Sequence, residues 1–291
     1  PYLFSLKRFR VAIIDEASQI LEPNILGILS QDIPKFVLIG DYKQLPAVVQ
    51  QPPRESIVTD PCLGDICLTD CRNSLFERLI NIERRAGRTQ FIGLLRKQGR
   101  MHPDIAAFAN EHFYREEQLC PVPLPHQLEE APYRRMLFID VRKTATGSDK
   151  ANADEARVAA EIVEEVQRRY GEKFHPRKTV GIIVPYRNQI AAIRAELERR
   201  GIAGSDRISI DTVERYQGSQ RDVIIYSFTI CKESQLSFLT ANTFYENGRP
   251  IDRKLNVAIT RARKQFIALG SRPLLSKNAL FRKLIEAASP S

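Results

Sequence analysis

The sequence predicts an α/β protein made of two lobes of open, parallel sheet with a cleft between them. Three observations carry this. The β-branched apolar runs RVAIID (10–15) and FVLIGD (36–41) are continuous rather than alternating, which is how strands buried on both faces read. Residues 21–29 between them have helical spacing, giving the strand–helix–strand rhythm of an open α/β sheet. The same rhythm begins again after a basic, glycine-bearing stretch at 96–100. The lobes are therefore placed at 1–97 and 98–291.

In order along the chain, residues 50–71 mix Pro, Cys, Asp and Thr without a period and predict a long surface loop. Ser74 then caps a helix whose inner face carries Leu75, Phe76, Leu79, Ile80 and Ile82, and Gly87 stops it. Residues 90–95 read as a strand. The second lobe opens with a helix at 103–114 and a proline-broken loop at 121–132, followed by a strand at 136–141. An amphipathic helix at 154–170 turns Val158, Ile162, Val163 and Val166 inward. A strand is expected at 179–184, a helix at 189–200, and strands at 208–210 and 223–228. A polar loop at 232–249 precedes a helix at 256–263, a final strand at 266–270 and a closing helix from about 278 to 288.

The 291 residues are 43% apolar, enough for a substantial core, and 27% charged with the charges spread out, which excludes a disordered chain. The balance of 44 basic against 35 acidic residues, +9 overall, favours polyanions without naming one. No run is long and apolar enough to cross a bilayer and no signal peptide opens the chain, so an intracellular setting, cytoplasm or nucleus, is expected. The first residue is Pro rather than Met, so a piece of something longer is expected. Cys62, Cys67, Cys71, Cys120 and Cys231 are an odd set, better suited to free thiols than to a disulfide frame. Their spacing is looser than zinc sites use.

Two strand ends carry acid. Asp15 and Glu16 follow the first run; ligands gather at the carboxyl ends of strands in open α/β sheets. Asp15 there can hold Mg²⁺ beside nucleotide phosphates, and Glu16 can take a proton from an attacking water. The second run ends in Gly40-Asp41-Tyr42-Lys43-Gln44, where Gln44 can sense a γ-phosphate. A helix N-terminal acidic pair and an ordinary Gly-Asp turn are the plainer alternatives, less apt for two strand ends joined by one helix.

VAIIDEASQ and VLIGDYKQLP resemble motifs II and III of the Upf-like branch of superfamily-one helicases. RKQGRMHPDIAAFANEHFY resembles the motif IV block, VGIIVPYRNQ the strand-Pro-Tyr element after it, DTVERYQGSQRDVIIYS motif V, and KLNVAITRARKQFIALG motif VI. The blocks stand in family order over nearly the whole chain. The resemblance implies two RecA-like lobes, the first incomplete, with an ATP cleft between them. It implies an ATP-dependent helicase or translocase motor acting on single-stranded DNA or RNA, using ATP and Mg²⁺.

Position by position, the resemblance makes Asp15 the Mg²⁺ holder, Glu16 the catalytic base, Gln44 the γ-phosphate sensor, and Arg100 and Arg261 the arginine fingers. Gly99, Gln217, Gly218 and Gln220 would lie by the nucleotide; Pro185, Tyr186, Gln189 and Thr212 would line the nucleic-acid groove. Surface salt bridges, or a half-buried core tyrosine for Tyr186, are the alternatives. His102 is expected to make a structural hydrogen bond. Three departures stand out. Gly99 replaces an aromatic, Gln220 replaces a frequent Glu, and no G-x-x-x-x-G-K-[ST] loop occurs. The chain alone is therefore expected to hydrolyse ATP poorly, with a missing N-terminal part of the same protein supplying the loop. A non-catalytic nucleic-acid-binding fragment and a helicase-derived scaffold remain the other readings.

Overall fold

The computed structural model describes residues 7–49, 51–144 and 148–289 and divides the chain into Pro1–Leu94 and Leu95–Ser291. In the first unit, β1 (Ala12–Ile14) and β2 (Phe36–Leu38) pair in parallel, Ile13 opposite Val37. The helix α1 (Glu22–Leu29) crosses between them, and Ile14, Ala17, Ile25 and Leu75 form a small core. The helix α2 (Leu75–Arg85) starts where the Ser74 hydroxyl accepts the Glu77 N–H at 3.1 Å, and Gly87, at φ 66°, ends it. The other face of the strand pair is bare: Ile13 is 68% exposed, and Val11, Val37 and Ile39 are exposed with it.

Two expectations fail in this unit. Residues 50–71 are not one open loop, because short helices form at Pro53–Ser56 and Pro61–Asp65. Pro61 presets the first turn of the second helix, and Asp60 accepts the Cys62 N–H at 2.8 Å. Residues 90–95 are not a strand. Among the described residues no neighbouring strand takes up their backbone groups, Ile92 N–H bonds the Thr89 carbonyl in a turn instead, and Phe91 and Leu95 are exposed.

The second unit is built on a five-stranded, wholly parallel sheet. Its strands are β3 (Met136–Asp140), β4 (Val180–Val184), β5 (Ser209–Thr212), β6 (Arg221–Ser227) and, after a hairpin of β7 (Thr243–Glu246) and β8 (Arg249–Asp252), β9 (Ala262–Gly270). Their order is β3-β9-β6-β4-β5. The continuous apolar runs are explained by burial on both faces, as Val180, Ile182, Ile183, Val184, Val223, Ile224 and Ile225 have essentially no exposed surface. Helices α4 (Ala153–Tyr170) and α5 (Arg187–Arg199) cover one face. Helices α3 (Pro103–His112), α6 (Arg253–Thr260) and α7 (Ala279–Ala288) pack on the other.

The expected polar loop at 232–249 contains the β7–β8 hairpin. Asn247 and Gly248 both sit at positive φ, 51° and 74°, the backbone that an Asn-Gly type I′ turn requires. No helix of the described residues is long and apolar enough to cross a membrane. The five cysteines carry no disulfide, and among the described residues no three His, Cys, Asp or Glu gather around a metal position.

Candidate functional site

In the first unit, parallel pairing carries β1 and β2 out together. Ile39 N–H donates to the Ile14 carbonyl and Ala17 N–H to the Ile39 carbonyl, each at 2.8 Å, so Asp15-Glu16 and Asp41-Gln44 leave one sheet edge side by side. Ser18 clamps them: its hydroxyl accepts the Asp41 N–H at 3.1 Å. Gly40 is required there, since a Cβ would stand 2.8 Å from the Ser18 backbone nitrogen. Glu16 holds a left-handed backbone, φ 51°, which is uncommon for a side chain of this kind. Its N–H bonds the Asp15 carboxylate at 2.9 Å, and Gln19 donates to its carboxylate. Asp41 accepts the Lys43 N–H and the Gln44 side-chain N–H, both at 2.9 Å, which fixes where the Gln44 amide points. The exposed carboxylate of Asp15 is a hard oxygen donor of the kind Mg²⁺ takes singly, completing its shell with water and phosphate, so the residue fits that ion.

The second unit sets its predicted residues on opposite edges of one sheet. At the amino edge of β6 and β9, Arg221 N–H bonds the Arg261 carbonyl at 3.0 Å. Arg100 reaches the same place: its Nε donates to Gln220 Oε1 and its Nη1 to the Thr260 carbonyl, both at 3.1 Å. The turn that delivers it is held by Gln98, whose side-chain oxygen accepts the N–H groups of Arg100 and Met101. His126 Nε2–H donates to the Arg100 carbonyl at 2.9 Å, while its Nδ1 faces Arg263, itself paired to Asp222 at 2.7 Å. Gln217 and Gly218 enter this edge from a short helix, Val213–Tyr216. The buried Tyr216 donates its hydroxyl to the Ser209 carbonyl, and its ring lies where a Cβ on Gly181 would intrude.

Two residues here have surroundings that the sequence does not reveal. Arg261 is not held out toward solvent; it is 2% exposed and donates to the carbonyls of Val257 and Ser219 and to the Thr260 hydroxyl. The short helix–strand connection after Thr260 turns the side chain back under the loop. Gly99 is exposed, and a Cβ there would come within 3.1 Å of Leu124, so the neighbouring leucine occupies part of the space an aromatic needs. His102 caps α3, its Nδ1 accepting the Asp104 N–H at 3.3 Å, and burial lowers its pKa.

At the carboxyl edge, Val184 pairs with Thr212, so Pro185, Tyr186 and Thr212 emerge together. Tyr186 is half-buried and stacked on Phe238, centroids 4.9 Å apart and 17° between planes. Gln189 corrects the expectation. It is fully buried: its amide donates to the Asn152 carbonyl and the Ser227 hydroxyl and accepts the Asn152 N–H at 2.7 Å. The first turn of α5 points it inward, so its side chain is not offered at the edge. Missed altogether were Gln98, Ser18 and the buried set around Glu155. For the buried set, Ser227 and Thr229 inside the apolar run 223–230 were the trace in the sequence.

A family model described as an AAA domain matches residues 71–273, and a second AAA domain model matches residues 1–52. The chain is 30% identical to Probable helicase MAGATAMA 3 of Arabidopsis thaliana over 98% of its own length and 33% of that protein's. It is 30% identical to Helicase SEN1 of Saccharomyces cerevisiae over 97% of its length and 12% of that protein's. The solved PRRSV helicase structure covers 91% of this chain with 36% of its own, at 15% identity and TM-score 0.41. The chain thus spans a third or less of these two curated relatives. It belongs to the AAA domain family, in the Upf-like branch of superfamily-one helicases.

Proposed function

We propose that the chain is the larger part of an ATP-dependent helicase or translocase motor acting on single-stranded DNA or RNA inside the cell. The two units are its lobes. The observation that carries the reading is the pairing of β1 with β2, which presents Asp15-Glu16 and Asp41-Gln44 at one edge. Asp15 holds Mg²⁺, which supplies charge neutralisation at the phosphates. Glu16 accepts the proton of the attacking water. Gln44, oriented by Asp41, reads the γ-phosphate.

From the second unit, Arg100 stabilises the charge that develops in phosphoryl transfer, and Arg261 joins it by exchanging carbonyl partners for phosphate oxygens. Gln217, Gly218 and Gln220 flank the nucleotide beside Gly99. Pro185, Tyr186 and Thr212 line the strand's groove, where a threonine hydroxyl bonds phosphate without reading sequence. The phosphate-binding loop comes from the N-terminal part of the parent protein. Steady-state ATP hydrolysis with single-stranded DNA or RNA tests this. Glu16→Gln in the parent is expected to lower turnover by about 10²–10⁴-fold. Unchanged turnover in that variant, or robust turnover by residues 1–291 alone, refutes it.

The aromatic carboxyl edge of the second unit, with the chain's net charge of +9, favours one further reading for the isolated chain, a strand binder without turnover. Its affinity for a single strand is then expected to fall linearly on a log–log plot against salt, whether or not ATP is present. Anisotropy of a labelled oligonucleotide measures this, and a lack of binding at low salt removes it.

A further inference from the structure

Beneath the carboxyl edge of the second sheet lies a sealed set of polar side chains to which the mechanism gives no part. Asn152, Glu155, Gln189, Ser227 and Thr229 are all fully buried. Glu155 is at their centre. Its carboxyl accepts the Ser227 hydroxyl at 2.6 Å, the Thr229 N–H at 2.9 Å and the Asn152 amide at 3.1 Å. Burying a carboxyl is costly, and a sheet of this kind needs none for its core.

The residue it grips is strained. Thr229 sits at φ 53°, where a β-branched side chain is an outlier, and its N–H is aimed at Glu155. That conformation turns the chain as it leaves β6. Two residues on, the N–H groups of Cys231 and Lys232 both donate to Gln235 Oε1, at 2.8 and 3.1 Å. The Gln235 amide in turn donates to the Tyr186 hydroxyl at 3.3 Å and the Asp149 carbonyl at 2.8 Å. Phe238, one turn further, stacks on Tyr186. An unbroken series of bonds therefore runs from Glu155 through the strained Thr229 to the aromatic pair.

We propose that Glu155 is a positioning residue for the single-strand groove: it holds Thr229 in its left-handed conformation and so sets the placement of the Tyr186–Phe238 pair. This rests on the nucleic-acid reading above for its consequence, but not for its geometry. Once charged, above the value of about 8 to which burial raises it, the carboxyl offers only acceptors to three converging donors, and bonds to a charged acceptor are the stronger kind. Glutamine is nearly the same shape, yet its NH₂ must confront either Thr229 N–H with Ser227 or the Asn152 amide.

The test is run at pH 9, where the Glu155 carboxyl is charged, and uses the 291-residue chain and a fluorescein-labelled single-stranded oligodeoxythymidine, read by anisotropy, with amide hydrogen exchange of residues 227–239 read in parallel. Glu155→Gln is expected to weaken binding roughly tenfold, the worth of one good hydrogen bond to a charged group, and to speed exchange in 227–239 while sparing 262–288. Ser227→Ala, which removes one donor and leaves the carboxyl, is expected to do the same to a smaller extent. Thr229→Gly is the decisive partner, because glycine adopts φ 53° without a pin. In the double variant Glu155→Gln/Thr229→Gly most of the lost affinity and protection should return, a coupling that simple loss of packing does not produce. Wild-type exchange in both Glu155→Gln and Ser227→Ala, or equal defects with and without Thr229→Gly, overturns the proposal. If the wild-type chain binds no oligonucleotide, the nucleic-acid reading falls. The exchange measurements then decide the role of Glu155 by the same criteria.

Discussion

Arg100→Ala in the full-length parent protein is expected to cut ATP turnover by about 10³–10⁵-fold, the range a transition-state arginine supplies in phosphoryl transfer. The argument is geometric. Arg100 is carried on a turn fixed by Gln98 and His126, and its guanidinium is braced by Gln220 and the Thr260 carbonyl. Arg100→Lys should fare little better, since one ammonium cannot hold Gln220 and Thr260 in that planar spread. Single-strand affinity without nucleotide should stay near wild type, because Tyr186 and Thr212 emerge at the far edge of the sheet. Arg100→Ala turnover within tenfold of wild type would remove Arg100 from the site.

The stability of the second unit should fall as pH rises from 6.5 to 8. Burial raises the Glu155 carboxyl from 4.5 to about 8, opposed by its bonds to Ser227, Thr229 and Asn152. Between those values the folded chain keeps a proton that the unfolded chain releases. Its contribution is complete below 4.5 and is lost as pH climbs through 8, at up to about 1.4 kcal/mol per pH unit. Asp252 is raised to about 6, again chiefly by burial, and adds the same sign at lower pH. His102 and His112 are lowered by burial and act oppositely, gaining stability as pH rises toward 6.5. Above 6.5 the Glu155 slope stands clear of them. Urea unfolding at half-unit steps from pH 6.5 to 8 checks this, and Glu155→Gln should flatten the slope. An equal slope in that variant assigns the proton elsewhere.

The strands of the second unit were legible because their apolar runs reflect burial on both faces, whereas β1 and β2 read the same way although one of their faces is exposed. The helix start at Ser74 was legible through its cap. The Asn247-Gly248 turn was equally visible but was absorbed into a stretch whose polar composition suggested a loop. The run at 90–95 misled for the opposite reason: apolar residues alone do not provide a neighbouring strand. For the candidate site, strand ends and motif order singled out Asp15, Gln44 and Arg100. They did not show that Gln189 turns inward or that Arg261 is buried, because both facts depend on which side of a helix's end faces the sheet. Glu155 was illegible as a pin, since a lone acid near the start of a helix is usually there for the helix dipole.

The proposed split of the second unit's sheet into two working edges would limit how news can pass between them. The strand β4, from Val180 to Val184, is five residues long, so roughly 17 Å of hydrogen-bonded slab separates Tyr186 from the Arg100 side. Such a slab does not bend locally. A pull on the aromatic end would reach the arginine end by tilting the whole body, as one end of a plank lifts when the other is pressed.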